Sequence, residues 1–323
     1  MKKIAVFTSG GDSPGMNAAV RAVVRAAIYH GVEVVGIERA YDGMIAGAIR
    51  PLNSADVSGI IQRGGTILKS ARSAEFRTAE GRKKAFNQLK KSGIEGLVAI
   101  GGDGTFTGAK IFEGEFGIPS IGVPGTIDND LFGTDNTIGY DTALNTVVEA
   151  VDKIRDTASS HDRLFFVEVM GRDAGFIALR SGIGVGAEAI LVPETPTYID
   201  ALIQKLEKGR DQNKSSAIII VAEGDDAGNA AEVAKKVKDR FDYYDTKVTV
   251  LGHIQRGGSP SAADRVLASR LGVAAVEALL DGKTNQMVGV VNNKIAYTDY
   301  GKAIKHHSKL NENLLYLAEI LSI

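Results

Sequence analysis

Short apolar segments rich in Ile and Val recur along the chain, and segments with helical periodicity separate most of them. Residues 17–30 and 78–91 have apolar side chains at helical spacing, and Gly31 and Gly93 end these two segments. Strands that are apolar on both faces and alternate with helices form parallel sheets covered on both sides. We therefore predict an α/β fold with parallel sheets flanked by helices. The apolar segments are IAVFTS, VEVVGI, GLVAIGG, PSIGVPG, LFFVEVM, SAIIIVAEG, KVTVLGH and MVGVV.

Composition limits the functions that remain open. The 323 residues are 44% hydrophobic and 24% charged, which predicts about two globular domains. The formal net charge of −1 and the lack of a basic block argue against nucleic acid or an anionic membrane as the main partner. The chain has no cysteine, which fits a reducing compartment, and no apolar run long enough for a signal peptide core or a membrane span. We expect a cytoplasmic protein that binds small ligands.

The first apolar segment leads into the glycine-rich stretch GGDSPGMN, residues 10–17. Residues 11–15 match the G-x-S-x-G pattern of serine hydrolases, in which the residue after the serine supplies a backbone N–H to the oxyanion hole. Here that residue is Pro14, which has no N–H, so Ser13 is not predicted to be a nucleophile. A glycine-rich turn between a strand and a helix instead favours an anion, most often phosphate.

A second glycine turn, GGDGT at residues 101–105, follows the segment LVAI. Two such turns at the ends of parallel strands could face one polyphosphate, because ligands of these sheets lie at the carboxyl ends of the strands. Asp103 would then bind Mg²⁺ together with phosphate oxygens. The alternative is that the glycines form a tight turn and Asp103 caps the helix. The chain has no Walker A sequence, so a nucleotide site here would have another design.

The third element is PGTIDND, residues 124–130. If this stretch is extended, Asp128 and Asp130 point to the same side and Asn129 points away. A carboxylate there could accept a hydroxyl proton during group transfer. An ordinary polar turn is the alternative interpretation.

Several basic residues lie at positions where they could bind an anion. Arg21 and Arg25 are four residues apart on the first predicted helix, a like-charge spacing that either binds an anion or is solvated. A phosphate-bearing substrate would meet four residues that lie just beyond apolar segments. These are Arg163, Arg172, His253 and Arg256.

Three further patterns carry less weight. Residues 182–187 match the dinucleotide fingerprint G-x-G-x-x-A, but they follow a helical segment and precede an apolar run, the reverse of the required order. The five histidines show no metal-binding spacing. The pentapeptide IQRGG occurs at residues 61–65 and 254–258, which indicates either two loops of similar shape or coincidence.

Taken together, several motifs closely resemble those of the bacterial ATP-dependent 6-phosphofructokinase family. The resemblance runs in order over almost the whole chain. The motif GGDGT also occurs in NAD kinases and diacylglycerol kinases, whereas PGTIDND with MGRDAG and GHIQRGG is highly specific. The motifs are GGDSPGMN, GGDGT, PGTIDND, MGRDAG at 170–175, AEG at 222–224 and GHIQRGGSP at 252–260.

The resemblance implies two Rossmann-like lobes and a glycolytic kinase. Residues 1–138 and 252–305 would form the ATP-binding lobe, and residues 139–251 and 306–323 the lobe that binds fructose 6-phosphate. The enzyme would transfer the γ-phosphoryl group of MgATP to the 1-hydroxyl of this sugar. The residues implied at the ATP site are Gly11, Tyr41, Arg72, Ser73, Gly102, Asp103, Gly104, Thr105 and Gly108, with Asp103 on Mg²⁺.

The resemblance also implies the roles of the residues at the reacting groups. Asp128 would be the base, and Gly11, Thr126 and Arg172 would steady the transferring group. The resemblance also places Ile127 and Gly171 at the substrate site. Met170 and Glu223 would hold the sugar. The 6-phosphate would bind Arg163, Lys247, His253 and Arg256, with Arg163 and Lys247 reaching in from a neighbouring subunit of a homotetramer.

The resemblance also bears on the phosphoryl donor. Pyrophosphate-dependent relatives carry Asp at the position of Gly104 and Lys at the position of Gly125, and these side chains would crowd and repel the α-phosphate of ATP. Glycine at both positions therefore implies ATP as the donor.

The family's effector pocket, which binds ADP or phosphoenolpyruvate, would use Arg21, Arg25, Arg155, Glu188 and Lys214. This chain departs from the family at four positions, which implies weak responses to both effectors and a changed phosphate contact. These are Lys247 in place of a usual Arg, Ser54 in place of Arg, Gly59 in place of Asp, and Gln212 in place of a basic residue.

Two alternatives remain open. An NAD or lipid kinase could be built on the GGDGT loop, although PGTIDND and GHIQRGG would then be unexplained. A non-catalytic nucleotide sensor could use the same scaffold, although it would not need Asp103 and Asp128.

Overall fold

The computed structural model describes residues 1–304 and 309–322, and in this part of the chain strands and helices alternate as the apolar segments predict. In chain order the strands and helices are β1 Lys3–Thr8, α1 Met16–Tyr29, β2 Glu33–Ile37, α2 Ala40–Ala46, β3 Ile49–Pro51, α3 Ala79–Lys91, β4 Gly96–Gly101, α4 Asp103–Phe116, β5 Ser120–Pro124, α5 Tyr140–Ala158, β6 Arg163–Val169, α6 Phe176–Gly184, β7 Ala189–Leu191, α7 Ile199–Asp211, β8 Ala217–Ala222, α8 Ala230–Lys238, β9 Asp245–Val250, α9 Ala262–Leu280, β10 Gln286–Val291, β11 Lys294–Asp299, α10 Tyr300–Ala303 and α11 Glu312–Leu321.

The chain forms two compact units. The first contains Met1–Ile127, Leu131–Thr142 and Arg256–Ser308, and the second contains Asp128–Asp130, Ala143–Gln255 and Lys309–Ile323. The predicted lobe boundary between residues 305 and 306 lies outside the described residues.

The first unit is built on a seven-stranded sheet with the order β11-β10-β5-β4-β1-β2-β3. Its five inner strands are parallel, as predicted, and β3 and β11 pair antiparallel at the two edges. Side chains of β1 alternate between two apolar clusters. Ile4 and Val6 pack in one cluster with residues of α1 and α9, and Ala5 and Phe7 pack in the other with residues of α2, α3 and α4. Both faces of the sheet are therefore covered, as in doubly wound folds.

The antiparallel edge strands were not predicted from the sequence. The β11 strand lies at the edge of the sheet and is only partly buried. Its sequence, KIAYTD, therefore needs no continuous apolar run of the kind that marks the inner strands. A tight hairpin joins it to β10, with Asn292 and Asn293 at φ values of 49° and 63°. Asparagine tolerates this left-handed conformation, which two-residue hairpin turns require.

The second unit contains a four-stranded parallel sheet with the order β7-β8-β6-β9. The central strand β8 is buried along its whole length, and its side chains Ile219 and Val221 join a cluster with residues of α7 and α8. The edge strand β9 is mostly exposed, and Val248 and Val250 keep 41% and 59% of their surface accessible. No helix in the described ranges 1–304 and 309–322 is both long and apolar enough to cross a bilayer.

Candidate functional site

The first glycine loop follows β1 and leads into α1, as the sequence predicts. Ser13, which is not predicted to be a nucleophile, is completely buried. Gly15 has a φ of 107°, and a Cβ at this position would lie 2.6 Å from Ile138 Cγ2. Only glycine fits this turn, because other residues are strained at positive φ and a side chain would also meet Ile138.

The second glycine loop leads directly into α4. The N-cap of this helix is Gly102, and Asp103 is the first helical residue, so the interpretation of Asp103 as the helix cap is wrong. The Oγ1 atom of Thr105 is buried and makes no hydrogen bond with any described residue. A Cβ at Gly104 would meet no described atom within 4 Å. The start of α4 therefore offers open space, a carboxylate and an unused hydroxyl beside the positive end of a helix.

The two glycine loops and the segment after β5 lie side by side because β1, β4 and β5 are neighbours in the sheet. The Ser9 N–H donates to Ile100 O at 2.9 Å, and the Gly125 N–H donates to Gly101 O at 2.9 Å. A Cβ at Gly102 would lie 3.6 Å from Thr126 Cβ. These contacts bring residues 9–11, 101–105 and 125–126 together at the carboxyl ends of three parallel strands, where such sheets bind ligands.

Tyr41, another residue predicted to bind ATP, is held by a hydrogen bond and by ring stacking. Its hydroxyl donates to Thr105 O at 2.6 Å, and its ring stacks on Phe76 with the centroids 3.9 Å apart. A Cβ at Gly108 would lie 3.0 Å from the Tyr41 ring, so glycine lets α4 approach Tyr41 closely. Tyr41 is only 6% exposed, whereas Arg72 is exposed and Ser73 partly so.

The segment PGTIDND is not extended throughout, so the predicted strand-like alternation of its carboxylates is wrong. Asn129 has a φ of 53°, in the left-handed region that asparagine tolerates better than most residues. Ile127 is completely buried, backbone included, so the structure leaves none of its surface open to a substrate. Asp128 is 2% exposed, whereas Asp130 is partly exposed. The two carboxylates therefore occupy different environments.

Asp128 forms an ion pair with Arg172, whose Nε lies 3.5 Å from Asp128 Oδ2. The Arg172 side chain is 52% exposed and that of Asp128 is 3% exposed. A buried carboxylate normally needs such a partner, because loss of solvation disfavours its charge. The pair places a proton acceptor next to a cation that can stabilise developing negative charge.

The loop MGRDAG holds Arg172 in an unusual backbone conformation, with a φ of 54°. Glu223 Oε1 accepts the N–H groups of Gly171 at 3.2 Å and of Arg172 at 2.7 Å. A Cβ at Gly224 would overlap the carbonyl oxygen of Arg172. The Glu223–Gly224 pair of the AEG motif therefore fixes the backbone of the loop that carries Arg172, a role that the sequence did not reveal.

The cations predicted to bind the 6-phosphate include Arg163 and Lys247, which both contact Asp245. Arg163 Nε lies 3.4 Å and Lys247 Nζ 2.8 Å from this carboxylate. The hydrogen bond from Lys247 and then the interaction with Arg163 hold the pKa of Asp245 below its ordinary value. The parallel pairing of β6 with β9 places the three residues together. His253 is exposed in the short 3₁₀ turn Gly252–Arg256.

Arg256, also predicted to bind the 6-phosphate, contacts the first glycine loop. Its Nη1 donates to Asp12 O at 3.3 Å, and a Cβ at Gly11 would overlap the same nitrogen. Glycine at position 11 therefore lets the guanidinium approach the backbone.

The predicted effector residues form two groups. In the first unit, burial and the neighbouring Arg25 lower the pKa of Arg21, which agrees with a like-charge spacing on α1. In the second unit, Arg155 donates to the carbonyls of Val185 and Gly186, and Lys214 Nζ lies 3.1 Å from Glu188.

The two IQRGG copies have related structures at the second glycine, since Gly65 and Gly258 have φ values of 64° and 91°. The loops also contact each other, which the sequence did not predict. A Cβ at Gly64 would overlap the carbonyl oxygen of Gly258, and Ser259 Oγ donates to Gln62 O at 2.9 Å. A direct packing contact is thus one reason for glycine at position 64.

Asn17, near the start of α1, contacts the first IQRGG loop, and the sequence analysis did not identify it. It is 1% exposed, and its Nδ2 donates to Arg63 O at 3.0 Å and Gly64 O at 3.1 Å, while its Oδ1 accepts the Ile67 N–H at 2.7 Å. Asparagine at the start of an otherwise apolar helix is the signal that could have revealed it, because a buried amide requires partners.

The dinucleotide-like stretch does not have the structure of a nucleotide site. Residues 182–184 form the end of α6 and residues 185–187 lead towards β7, so the stretch lacks the strand-loop-helix order of a dinucleotide site. Within residues 1–304 and 309–322, no three His, Asp or Glu side chains cluster in a way that could hold a metal ion.

The fold and its loops define a doubly wound α/β protein with glycine-rich loops at the carboxyl ends of neighbouring parallel strands. Residues 3–279 match the family model described as Phosphofructokinase. The chain belongs to the phosphofructokinase family.

Relatives with the same full-length extent include an ATP-dependent 6-phosphofructokinase of Cytophaga hutchinsonii, 59% identical over 100% of this chain and 98% of its own. ATP-dependent 6-phosphofructokinase 1 of Thermus thermophilus is 57% identical over 100% of both chains.

Solved structures show the same fold. The phosphofructokinase of Saccharomyces cerevisiae superposes with a TM-score of 0.90 at 40% identity, over 100% of this chain and 47% of the yeast chain. A pyrophosphate-dependent phosphofructokinase of Marinobacter aquaeolei superposes with a TM-score of 0.84 at 23% identity, over 97% of this chain and 86% of that chain, a likeness in fold alone.

Proposed function

We propose that this protein transfers the γ-phosphoryl group of MgATP to the 1-hydroxyl of fructose 6-phosphate, giving fructose 1,6-bisphosphate and ADP. The observation that carries the proposal is the buried Asp128 beside the half-exposed Arg172, in a chain that is full-length similar to ATP-dependent 6-phosphofructokinases. The NAD or lipid kinase interpretation loses support, because the similarity covers the whole chain and is not limited to the GGDGT loop.

The loops at the ends of β1 and β4 would hold the triphosphate. Their backbone N–H groups and the start of α4 attract anions, and Thr105 supplies a buried hydroxyl that no described residue uses. Asp103 suits Mg²⁺, which binds proteins through one or two carboxylates together with phosphate oxygens. When bound, the ion would neutralise charge that accumulates on the phosphate oxygens.

Asp128 would remove the proton from the sugar 1-hydroxyl as its oxygen attacks the γ-phosphorus. The carboxylate is largely shielded from solvent, and the Arg172 guanidinium lies beside it as an opposite charge. Gly11, Thr126 and Arg172 would stabilise the charge on the transferring group. Phosphoryl transfer depends on such positioning and charge stabilisation more than on covalent chemistry.

The second unit would bind the sugar, with Glu223 and Met170 at the ring. Glu223 Oε1 is already engaged by two backbone N–H groups, so its other oxygen is the one suited to a sugar hydroxyl. Arg163, Lys247, His253 and Arg256 would bind the 6-phosphate, for which arginine provides the bidentate contact and lysine a point charge. Asp245 would share two of these cations with the phosphate.

We further propose a cytoplasmic homotetramer in which Arg163 and Lys247 serve a neighbouring subunit. The exposed valines of the edge strand β9, which also carries Lys247, support the presence of a covering partner on this strand. ADP or phosphoenolpyruvate would bind through Arg21, Arg25, Arg155, Glu188 and Lys214.

A coupled assay tests the function directly. Turnover of fructose 6-phosphate is measured with ATP and with pyrophosphate, and NAD and diacylglycerol are offered as alternative acceptors. We expect turnover with fructose 6-phosphate and ATP. Turnover of NAD or diacylglycerol in place of the sugar would contradict the proposal.

A further inference from the structure

A buried carboxylate outside the predicted site connects α9 with the start of α5. Asp264 is 1% exposed and lies in the first turn of α9. Its Oδ1 accepts the Gly139 N–H at 2.8 Å, and its Oδ2 accepts the Thr142 N–H at 2.8 Å and the Thr142 hydroxyl at 2.5 Å. An aspartate from one helix therefore satisfies the N–H groups at the start of another, which normally need a local cap.

A second set of hydrogen bonds strengthens this connection. The Ser261 N–H donates to Thr142 Oγ1 at 2.9 Å, and the Ser261 hydroxyl donates to Asp141 Oδ2 at 2.5 Å. The same Ser261 oxygen caps α9 by accepting the Asp264 N–H at 3.2 Å. Because each of these groups is paired, the chain around residues 139–142 has one well-defined position.

The residues just before this anchor lie along the segment that leads to Asp128. The Ile138 N–H donates to Pro124 O at 2.9 Å, and Gly125 and Ile138 form a parallel bridge. The hydroxyl of Thr137, which is completely buried, donates to Thr126 O at 2.6 Å. This bond fixes the peptide group two residues before Asp128 in the chain.

We propose that Thr137, held in place by Asp264, is a positioning residue for the segment that carries Thr126 and Asp128. The inference rests on the proposed function. Phosphoryl transfer depends on the placement of the base and of the groups that stabilise charge, and a displacement of about 1 Å can cost about 100-fold in rate. Loss of the Thr137 hydroxyl would release the Thr126 carbonyl and let this segment shift.

The test compares Thr137→Val and Thr137→Ser with Thr134→Val. Thr134 is a matched control, because it is 9% exposed and lies in the same loop, and its hydroxyl donates to Asn136 O at 2.8 Å and accepts the Val290 N–H at 3.2 Å. We expect Thr137→Val to lower kcat at least about tenfold with the KM for ATP within about twofold. Thr137→Ser should restore kcat, and Thr134→Val should lower Tm to a similar extent with near-normal kcat.

Hydrogen exchange of the backbone N–H groups of residues 127–129 provides a readout that does not depend on activity. We expect faster exchange in Thr137→Val than in Thr134→Val. Equal kcat and equal exchange in these two variants would overturn the inference. If the wild-type protein does not phosphorylate fructose 6-phosphate, the proposed function fails, and the exchange rates still decide whether Thr137 positions the segment.

Asp264→Asn tests the same contacts if Thr137→Val does not fold. The substitution keeps the size of the side chain, but its amide nitrogen cannot accept the N–H or hydroxyl donors that meet the carboxylate. A lower kcat with unchanged KM for ATP and faster exchange at residues 127–129 would support the inference. Normal kcat and exchange in a variant with a lower Tm would overturn it, because Asp264 would then only stabilise the fold.

Discussion

Substitution of Gly104 by Asp tests whether the start of α4 binds ATP. A Cβ at this position meets no described atom within 4 Å, so the folded protein can accept the side chain. Replacing glycine in a helix and adding a negative charge to its first turn should raise the free energy of unfolding by about 0.5–1 kcal/mol. The substitution should therefore stabilise the protein while it weakens the binding of ATP.

The loss of ATP binding follows from charge repulsion. A carboxylate about 5 Å from one phosphate charge costs about 3 kcal/mol at an effective dielectric constant of about 20, which corresponds to about 100-fold in affinity. Because solvent and salt screen part of this repulsion, we expect the KM for ATP to rise at least about tenfold. Gly104→Asn is the matched control, since it has nearly the same size and no charge.

The assay combines the KM for ATP with denaturant unfolding of the three proteins. If Gly104→Asp were as stable as the wild type or more so, and its KM for ATP matched that of Gly104→Asn, the phosphates would not lie near this turn and the assignment of the ATP site would be wrong.

Three further predictions concern the base, the phosphate anchor and the effectors. Asp128→Ser should lower kcat at least about 100-fold with little change in substrate binding, as pre-steady-state kinetics can measure, and near-normal turnover would remove Asp128 from the mechanism. Arg163→Ala should raise the apparent KM for fructose 6-phosphate most, because a phosphate anchor mainly sets affinity; a change limited to the KM for ATP would show that the anchor is misassigned. Titration of the activity should show weak inhibition by phosphoenolpyruvate and weak activation by ADP, since Ser54, Gly59 and Gln212 replace family residues, and steep responses below about 1 mM would contradict this expectation.

The sequence predicts the inner strands well because these strands are buried on both faces. Continuous apolar runs such as LVAI and SAIIIV fit strands that are covered on both faces, and the helices between them cover the sheet. The positions of the glycine loops follow from the strand order, since loops after neighbouring parallel strands meet at one edge. Pro14 could exclude the hydrolase interpretation from the sequence alone, because its missing N–H is a local chemical fact.

Features that depend on contacts between distant residues could not be predicted in this way. The left-handed conformation of Asn129, which breaks the expected alternation of PGTIDND, is open to asparagine but is chosen by the surrounding structure. The contact between Gly64 and Gly258 joins segments nearly 200 residues apart, and nothing local in either segment reveals the other. Asp264 reads as an ordinary charge near the start of a helix until the fold places it beside Thr142.

The close approach of Gly11 to the Arg256 guanidinium has a consequence for how this chain can vary. A methyl group added at position 11 would displace the guanidinium of a residue that lies 245 positions later in the chain. Because the arginine side chain is flexible, a larger residue at position 11 would turn the guanidinium away from the first glycine loop, and the change would act on the proposed phosphate contact at position 256 more than on the fold.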